Sequence, residues 1–303
     1  MALLTRLRPF ERGETPLPSA TDSSLTIHAL KDKGDEPEVL AFLAERYRQT
    51  FFMAGLIRDN GFESPLNRGT FYACRDAQGR LVGVALIGHF TLVETQSEEA
   101  LAAFARCAKA HPFADVIAGD PESVERFWHH YAPAGRAADL ASRKLLFELR
   151  EPAAAGEAVP GLRRGTLAEL PQVMEAQALM LYEEKGVNPL ASDPDGFRQR
   201  CARRIEQGRV WVWFRRGRLI FKADVMAETP ETVYLEGVYV SPEARGKGFG
   251  RRCVAQLGRH FAARTGSLCL LVNEQNKRAH AFYEKSGFSL TGYYEALYLQ
   301  RSH

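Results

Sequence analysis

The sequence predicts an α/β protein of layered sheets and helices, built as two domains of similar outline. Three observations carry this. At ~150 residues per domain, 303 residues suggest two domains. The stretch Glu151 to Pro160 is small, Pro-bounded and without apolar periodicity, so it reads as a linker. On either side of it the same order recurs, a helical stretch and a β-hairpin followed by strand, helix, strand, helix and a closing strand. The expected division is therefore residues 1–150, a linker over 151–160, and residues 161–303.

The elements follow in order. Residues 11–24 are turn-rich and polar, a loose leader. Glu36–Phe52 is helical. Thr70–Arg75 and Arg80–Gly88 form a hairpin around Asp76 to Gly79, and Phe90–Thr95 is the next strand. Then come helix Glu98–Lys109, strand Asp115–Ala118, helix Pro121–Tyr131 and strand Lys144–Leu149. In the second half, Leu167–Glu184 and Gly196–Gln207 are helical. Arg209–Phe214 and Arg218–Met226 form a hairpin around Arg215 to Gly217. Thr232–Val240, helix Gly250–Arg264, strand Leu268–Val272, helix Lys277–Lys285 and strand Tyr293–Leu299 complete it. The duplication is one of pattern, not of residue identity.

Composition is that of a globular protein, with 45 % apolar and 25 % charged residues. Disordered, collagen-like and coiled-coil classes are excluded. The longest apolar run, Leu81 to Gly88, is far short of the ~20 residues of a membrane helix. Arg6 and Arg8 interrupt the opening apolar residues, so no signal-peptide core is expected and the chain is read as cytoplasmic. Five cysteines without CxxC spacing read as buried thiols, with no disulfide and no metal site. The net charge of +3 is too small to argue for nucleic acid. Residues 1–150 carry 18 basic and 20 acidic side chains, and the remainder 22 and 17, so the second half suits an anionic ligand better.

The chemistry concentrates between Leu235 and Phe288. A strand ending in Val238, Tyr239 and Val240 is broken by Ser241-Pro242 and followed by Arg245-Gly-Lys-Gly-Phe-Gly250. An amphipathic helix then places Val254, Leu257 and Phe261 on one face. Strand, glycine-rich turn and helix N-terminus make an anion cradle, because glycines admit phosphate oxygens to backbone N–H groups and the helix dipole favours negative charge. Arg245, Lys247, Arg251 and Arg252 add cations. The spacing matches neither a Walker A loop nor a dinucleotide-binding fingerprint.

Arg245-x-x-Gly248-x-Gly250 resembles the pyrophosphate loop of the GNAT acetyltransferases. The resemblance continues through Asn273, Asn276, Ala279, Phe282, Tyr283 and Gly287-Phe288, and covers about residues 162–300. The first half resembles a degenerate GNAT-like domain that precedes GNAT domains in some bacterial proteins, through His111-Pro112, Gly119-Asp120 and Phe127-Trp128. It has no Arg-x-x-Gly-x-Gly loop. The resemblance implies two tandem GNAT-like domains, each a mixed, mostly antiparallel sheet flanked by helices. It implies acetyl-CoA as acyl donor, held by Val238, Tyr239 and Val240, by Arg245, Gly246, Lys247, Gly248, Phe249, Gly250 and Arg251, and by Asn273, Asn276, Ala279, Phe282, Tyr283 and Lys285.

Acyl transfer from a thioester to an amine needs a neutral amine, a polarised carbonyl and a stabilised thiolate. A lysine-type amine ionises near ~10.4, so its neutral form costs about 4–5 kcal/mol at neutral pH, which a base or desolvation offsets. In the family, backbone of the strand before the loop faces the thioester, as an oxyanion hole would. The resemblance makes Tyr283 the acid that protonates the thiolate; the other reading is a core aromatic packed with Phe282. Asn276 would bond the pantetheine arm or cap its helix. Glu236 shares a strand face with Val238 and Val240 and is the candidate base, or else half of an ion pair or an exposed rim residue. Asp224 and Glu228 are the runners-up, and Tyr234 flanks Glu236. Trp211 and Trp213 share a face, in the core or as a pocket wall. His129-His130 lacks metal-pair spacing and reads as a solvated face.

The expectation is a direct-attack N-acetyltransferase acting through a ternary complex, with a small-molecule amine as acceptor, or else a protein lysine or N-terminus. A mycothiol-synthase-like tandem enzyme and a non-catalytic CoA-binding regulatory module are the alternatives. No Cys lies beside a His, so no acyl-enzyme is expected.

Overall fold

The computed structural model describes residues 25–111, 113–152 and 158–300, apart from the Lys185 side chain. The expected leader, Pro112 and half of the expected linker lie outside the described residues. The chain divides into two compact units. The N-terminal unit holds residues 25–146 with Val272–Gln275 and 291–300. The C-terminal unit holds Phe147–Leu271 with Asn276–Leu290.

The N-terminal unit begins with β1 (Thr26–Ala29), α1 (Glu36–Ala44) and α2 (Tyr47–Asn60). The sequence predicts one helix over most of α1 and α2, but the chain breaks at Arg46, which leaves helical backbone at φ −122°. Next come β2 (Gly69–Arg75), β3 (Leu81–Gly88), β4 (Phe90–Thr95), α3 (Glu98–Ala110), β5 (Val116–Gly119), α4 (Pro121–Tyr131) and β6 (Ala138–Leu149), the last of which passes from one unit to the other. Neighbouring strands from β1 to β4 are antiparallel, and β4 and β5 are parallel. Phe104 of α3 and Phe127 and Tyr131 of α4 fill the core beneath β2 and β3.

The C-terminal unit runs β7 (Arg163–Arg164), α5 (Leu170–Lys185), α6 (Pro189–Ser192), α7 (Pro194–Glu206), β8 (Val210–Arg215), β9 (Arg218–Glu228), β10 (Val233–Val240), α8 (Phe249–Ala262), β11 (Leu268–Asn273) and α9 (Lys277–Lys285). Its strand order is β11-β10-β9-β8-β7, with β10 and β11 parallel and the other pairs antiparallel. Strand β8 explains the layering. Val210 and Val212 pack with Phe197, Cys201 and Ile205 of α7 and Val173 of α5. Trp211 and Trp213, on the opposite face, meet Phe261 and Phe249 of α8 at ring distances of 6.0 and 5.3 Å. Both indoles pack against α8, and Trp211 also lines an open pocket with Arg164, Gln256 and His260.

The last strand, β12 (Ser289–Leu299), differs from expectation. The sequence reading gives its second part to the C-terminal half. In the structure residues 291–300 join the N-terminal unit, because β12 pairs antiparallel with β5 from Glu295↔Gly119 to Tyr298↔Val116.

All five cysteines are buried thiols, as expected. Among the described residues no helix is long and apolar enough to cross a membrane, and no group of His, Cys, Asp or Glu is placed to hold a metal.

Candidate functional site

The site is built on β10, the loop after it, and the starts of α8 and α9. β10 departs from regular pairing at its centre. Glu236 faces Asp224 of β9, and the next matched pair is Tyr239 with Lys222, so Gly237 and Val238 bulge outward against a single residue. The parallel ladder to β11 covers only Val233–Leu235, so the bulge lies beyond its end.

After β10 one helical turn, Pro242–Ala244, leads into the glycine loop. Gly246 and Gly248 sit at φ +77° and +78°, where other residues are strained, and a Cβ on either would meet no atom within 4 Å. Gly248 is the N-cap of α8, and no side chain caps that helix. The first-turn N–H groups of α8 thus lack intrahelical acceptors. Its first turn carries no acidic residue, and Lys247 and Arg251 are exposed beside it. Gly250 brings α8 close to its neighbours: a Cβ there would lie 2.8 Å from Val240 and 3.1 Å from Phe282. This cradle has the shape and polarity a diphosphate requires, so the residues present fit the donor that the resemblance implies.

The corresponding helix of the N-terminal unit is built the opposite way. Ser97 caps α3 by accepting the Ala100 N–H, and Glu98 and Glu99 occupy its first turn. The helix end is closed and acidic.

Arg245 lies elsewhere than a free phosphate ligand would. Its Nε bonds the Val240 carbonyl at 3.0 Å and its Nη2 approaches Glu183 at 3.4 Å. Phe249 packs under Trp213, with the Arg215 guanidinium 5.5 Å over its ring. Tyr239 is buried, and burial and then Glu243 push its phenol above the ordinary range.

On α9, Asn276 Oδ1 accepts the Ala279 N–H at 3.0 Å, so it caps the helix and keeps its amide NH₂ for other partners. Tyr283 is buried among Phe147, Phe282 and Phe288 at ring distances of 6.2, 5.0 and 5.5 Å. Burial alone pushes its phenol well above the usual range. No described group hydrogen-bonds its hydroxyl. Both readings of Tyr283 therefore describe its surroundings: an aromatic nest and an unengaged phenol. Lys285 is exposed at the end of α9. Asn273 falls in the N-terminal unit, where its Oδ1 accepts the Gln275 N–H.

Glu236 is half-buried and accepts the Tyr234 hydroxyl at 3.0 Å, as their shared face allows. The runners-up are occupied. Asp224 is buried between Lys222 at 2.8 Å and Arg204 at 3.0 Å, and Glu228 pairs with Arg264 at 3.1 Å. His130 bonds Glu98. Burial pushes the Cys253 thiol up to about 12, so the cysteine nearest the loop holds no nucleophilic thiolate at neutral pH. Sequence reasoning missed Lys222, Gln177 and Arg204. The signal was present in Phe221-Lys-Ala-Asp-Val225, where two opposite charges at strand spacing interrupt an apolar run.

Residues 175–288 match the acetyltransferase (GNAT) family. A peptidyl-lysine N-acetyltransferase, YjaB, of Salmonella typhimurium is 36 % identical over 59 residues, 20 % of this chain and 38 % of that protein. A 5-NmdU N-acetyltransferase of Pseudomonas phage PaMx11 is 42 % identical over 63 residues, 21 % of this chain and 43 % of that protein. The chain thus spans about two fifths of the length of these relatives. Among solved structures, a tandem GNAT protein from the clavulanic acid biosynthesis pathway covers 92 % of this chain and 100 % of its own, with TM-score 0.58 and 15 % identity. A GNAT-family acetyltransferase from Colwellia psychrerythraea covers 91 % of this chain and 100 % of its own, with TM-score 0.55 and 12 % identity. Similarity at this identity speaks for the fold alone. Bulged strand, glycine loop and uncapped helix all fall within residues 175–288, the segment that matches the GNAT family, and the fold of the chain is similar to that of a tandem GNAT protein.

Proposed function

We propose that the C-terminal unit transfers an acetyl group from acetyl-CoA to an amine by direct attack in a ternary complex. The observation that carries this is the open, uncapped start of α8, with two left-handed glycines and two exposed cations beside it. Bound there, the donor supplies an activated acyl thioester. Backbone N–H groups from Gly246 to Arg251 would take its diphosphate, with Lys247 and Arg251 as counter-charges. The bulged backbone from Val238 to Val240 would run beside the pantetheine arm, with the Asn276 amide as a second donor.

Two side chains serve the proton transfers in this reading. Glu236, oriented by the Tyr234 hydroxyl, takes a proton from the attacking amine, directly or through water. Tyr283, kept neutral by burial, offers its hydroxyl to the departing thiolate. The N-terminal unit, whose α3 is capped and acidic, contributes no donor site in this reading.

A small-molecule amine is the favoured acceptor. One named relative acts on peptidyl lysine, and the other is named for a 5-NmdU substrate, so a protein lysine stays within range. Thiol release from acetyl-CoA, measured across amino acids, polyamines, aminoglycosides and lysine peptides, tests the proposal. Release with at least one acceptor, abolished by Gly248→Glu, supports it. No release with any acceptor, by a chain that binds CoA, would leave a CoA-binding module instead.

A further inference from the structure

Lys222 is a buried charge for which the chemistry above has no use. It is 1 % exposed on β9, two residues from Asp224 on the same face. Its Nζ lies 2.8 Å from Asp224 Oδ1, 2.8 Å from Gln177 Oε1 of α5, and 3.4 Å from the Gly237 carbonyl oxygen. Gln177 Oε1 and the Gly237 carbonyl accept hydrogen bonds from it, and Asp224 Oδ1 is its ion-pair partner. The other Asp224 oxygen accepts from Arg204 Nη1 of α7 at 3.0 Å. Burying an ammonium costs several kcal/mol unless it is paired and fully hydrogen-bonded, so such a cluster persists only with all its members in register.

This cluster holds the bulge. Gly237 stands at φ +60°, and a Cβ on it would lie 3.0 Å from Lys222 Nζ, 3.1 Å from Gln177 Oε1 and 3.2 Å from Asp224 Oδ2. The cluster therefore fills the space beneath that Cα. No described peptide bond is cis. The Gly237 C=O and the Val238 N–H belong to one planar trans unit and so point in opposite directions. With the carbonyl drawn to Lys222, the Val238 N–H is turned away from the cluster. The β11 ladder has ended at Leu235 and does not reach it. A cationic donor on a carbonyl also polarises its peptide and strengthens the N–H on the far side.

We propose that Lys222 is a positioning residue for acyl transfer, holding the Gly237–Val238 peptide so that the Val238 N–H is preset as a donor to the thioester oxygen. The proposal rests on the acyl-transfer reading above. It assigns Lys222 no contact with substrate. Preset donors lower barriers because no reorganisation is left for the reaction step.

The test uses the full chain with Lys222→Met, which leaves Asp224 paired to Arg204, and the milder Gln177→Met, which removes one neutral acceptor. Three readouts are taken: acetyl-CoA affinity by calorimetry, kcat at saturating acceptor, and the Val238 amide resonance by NMR. The expected result is kcat lower by about 10–100-fold in Lys222→Met and less in Gln177→Met. Acetyl-CoA affinity stays within about threefold and the Val238 amide shifts in both variants. A purely structural role would lower stability and leave kcat per folded molecule and the Val238 resonance unchanged, and that outcome overturns the proposal. If Lys222→Met does not fold, Gln177→Met decides by the same criteria. If the wild-type chain releases no thiol with any acceptor, the acyl-transfer reading fails. The Val238 resonance then reports separately whether Lys222 sets this peptide.

Discussion

Arg245 donates from Nε to the carbonyl oxygen of Val240 at 3.0 Å, tying the first residue of the glycine loop to the last residue of β10. This cation of the motif is thus a brace for the loop, and Glu183 offsets part of its charge. Arg245→Ala should weaken acetyl-CoA binding about tenfold or more, in line with loss of a charge-assisted hydrogen bond worth roughly 1.5–3 kcal/mol. Arg245→Lys should recover little of it, because a point charge cannot span both partners. Calorimetry checks this; unchanged affinity in Arg245→Ala would mean the loop keeps its shape unaided.

Tyr283→Phe should lower kcat by roughly tenfold to a hundredfold, with acetyl-CoA affinity nearly unchanged. Stability should hardly move, because no described group bonds the hydroxyl and the aromatic nest of Phe147, Phe282 and Phe288 is retained. Single-turnover rates alongside thermal melts make the comparison. Wild-type chemistry in the variant would return Tyr283 to a packing role.

Glu236→Gln should flatten the acidic limb of the pH–kcat profile, since the amide keeps the Tyr234 hydrogen bond but takes no proton. Persistence of that limb would place the base elsewhere.

Acid stability should depend on Glu169. Paired with Arg163 and bonded to the Thr166 N–H, its carboxyl is held down to about 2 from an ordinary 4.5. A depressed folded pKa contributes stability above the unfolded value and loses it as pH falls through the folded one. The Tm gap between wild type and Glu169→Gln should therefore be full at neutral pH and narrow as pH falls from 4.5 towards 2. A gap independent of pH over that range would remove the ion pair as its cause.

Calorimetry on the full chain should give one CoA per chain. The motivation is the contrast between α8, open at Gly248, and α3, closed by Ser97 and flanked by Glu98 and Glu99. A stoichiometry of two would show that a capped, acidic helix start still accepts the ligand.

Much of this was legible in the sequence. Phe90–Thr95, Pro121–Tyr131 and Lys277–Lys285 end where patterning and caps put them. The loop was legible because glycine is needed where backbone must reach a ligand, and that leaves a residue signature. The break at Arg46 was not, since no Gly or Pro marks it. The cluster around Lys222 was hidden for another reason. A lysine in a strand usually reads as a rim residue, and only its partners Asp224, the Gly237 carbonyl and Gln177, the last 45 positions away, reverse that. The role of Arg245 was similarly hidden, because a cation in a phosphate loop looks like a ligand until its own hydrogen bonds are known.

The pairing of β12 with β5 has a consequence for biosynthesis. A ribosome delivers chain from its N-terminus, so the first unit has nearly all its parts long before the second is finished. Yet Glu295–Tyr298, the residues that pair with Val116–Gly119, emerge only after Phe147–Leu271 and Asn276–Leu290 of the other unit. Until then β5 has an exposed edge, with unpaired N–H and C=O groups that invite association with another nascent chain. The N-terminal unit is thus completed only after the residues of the C-terminal unit have been made, and its safe folding depends on how quickly, or with what chaperone cover, β12 arrives.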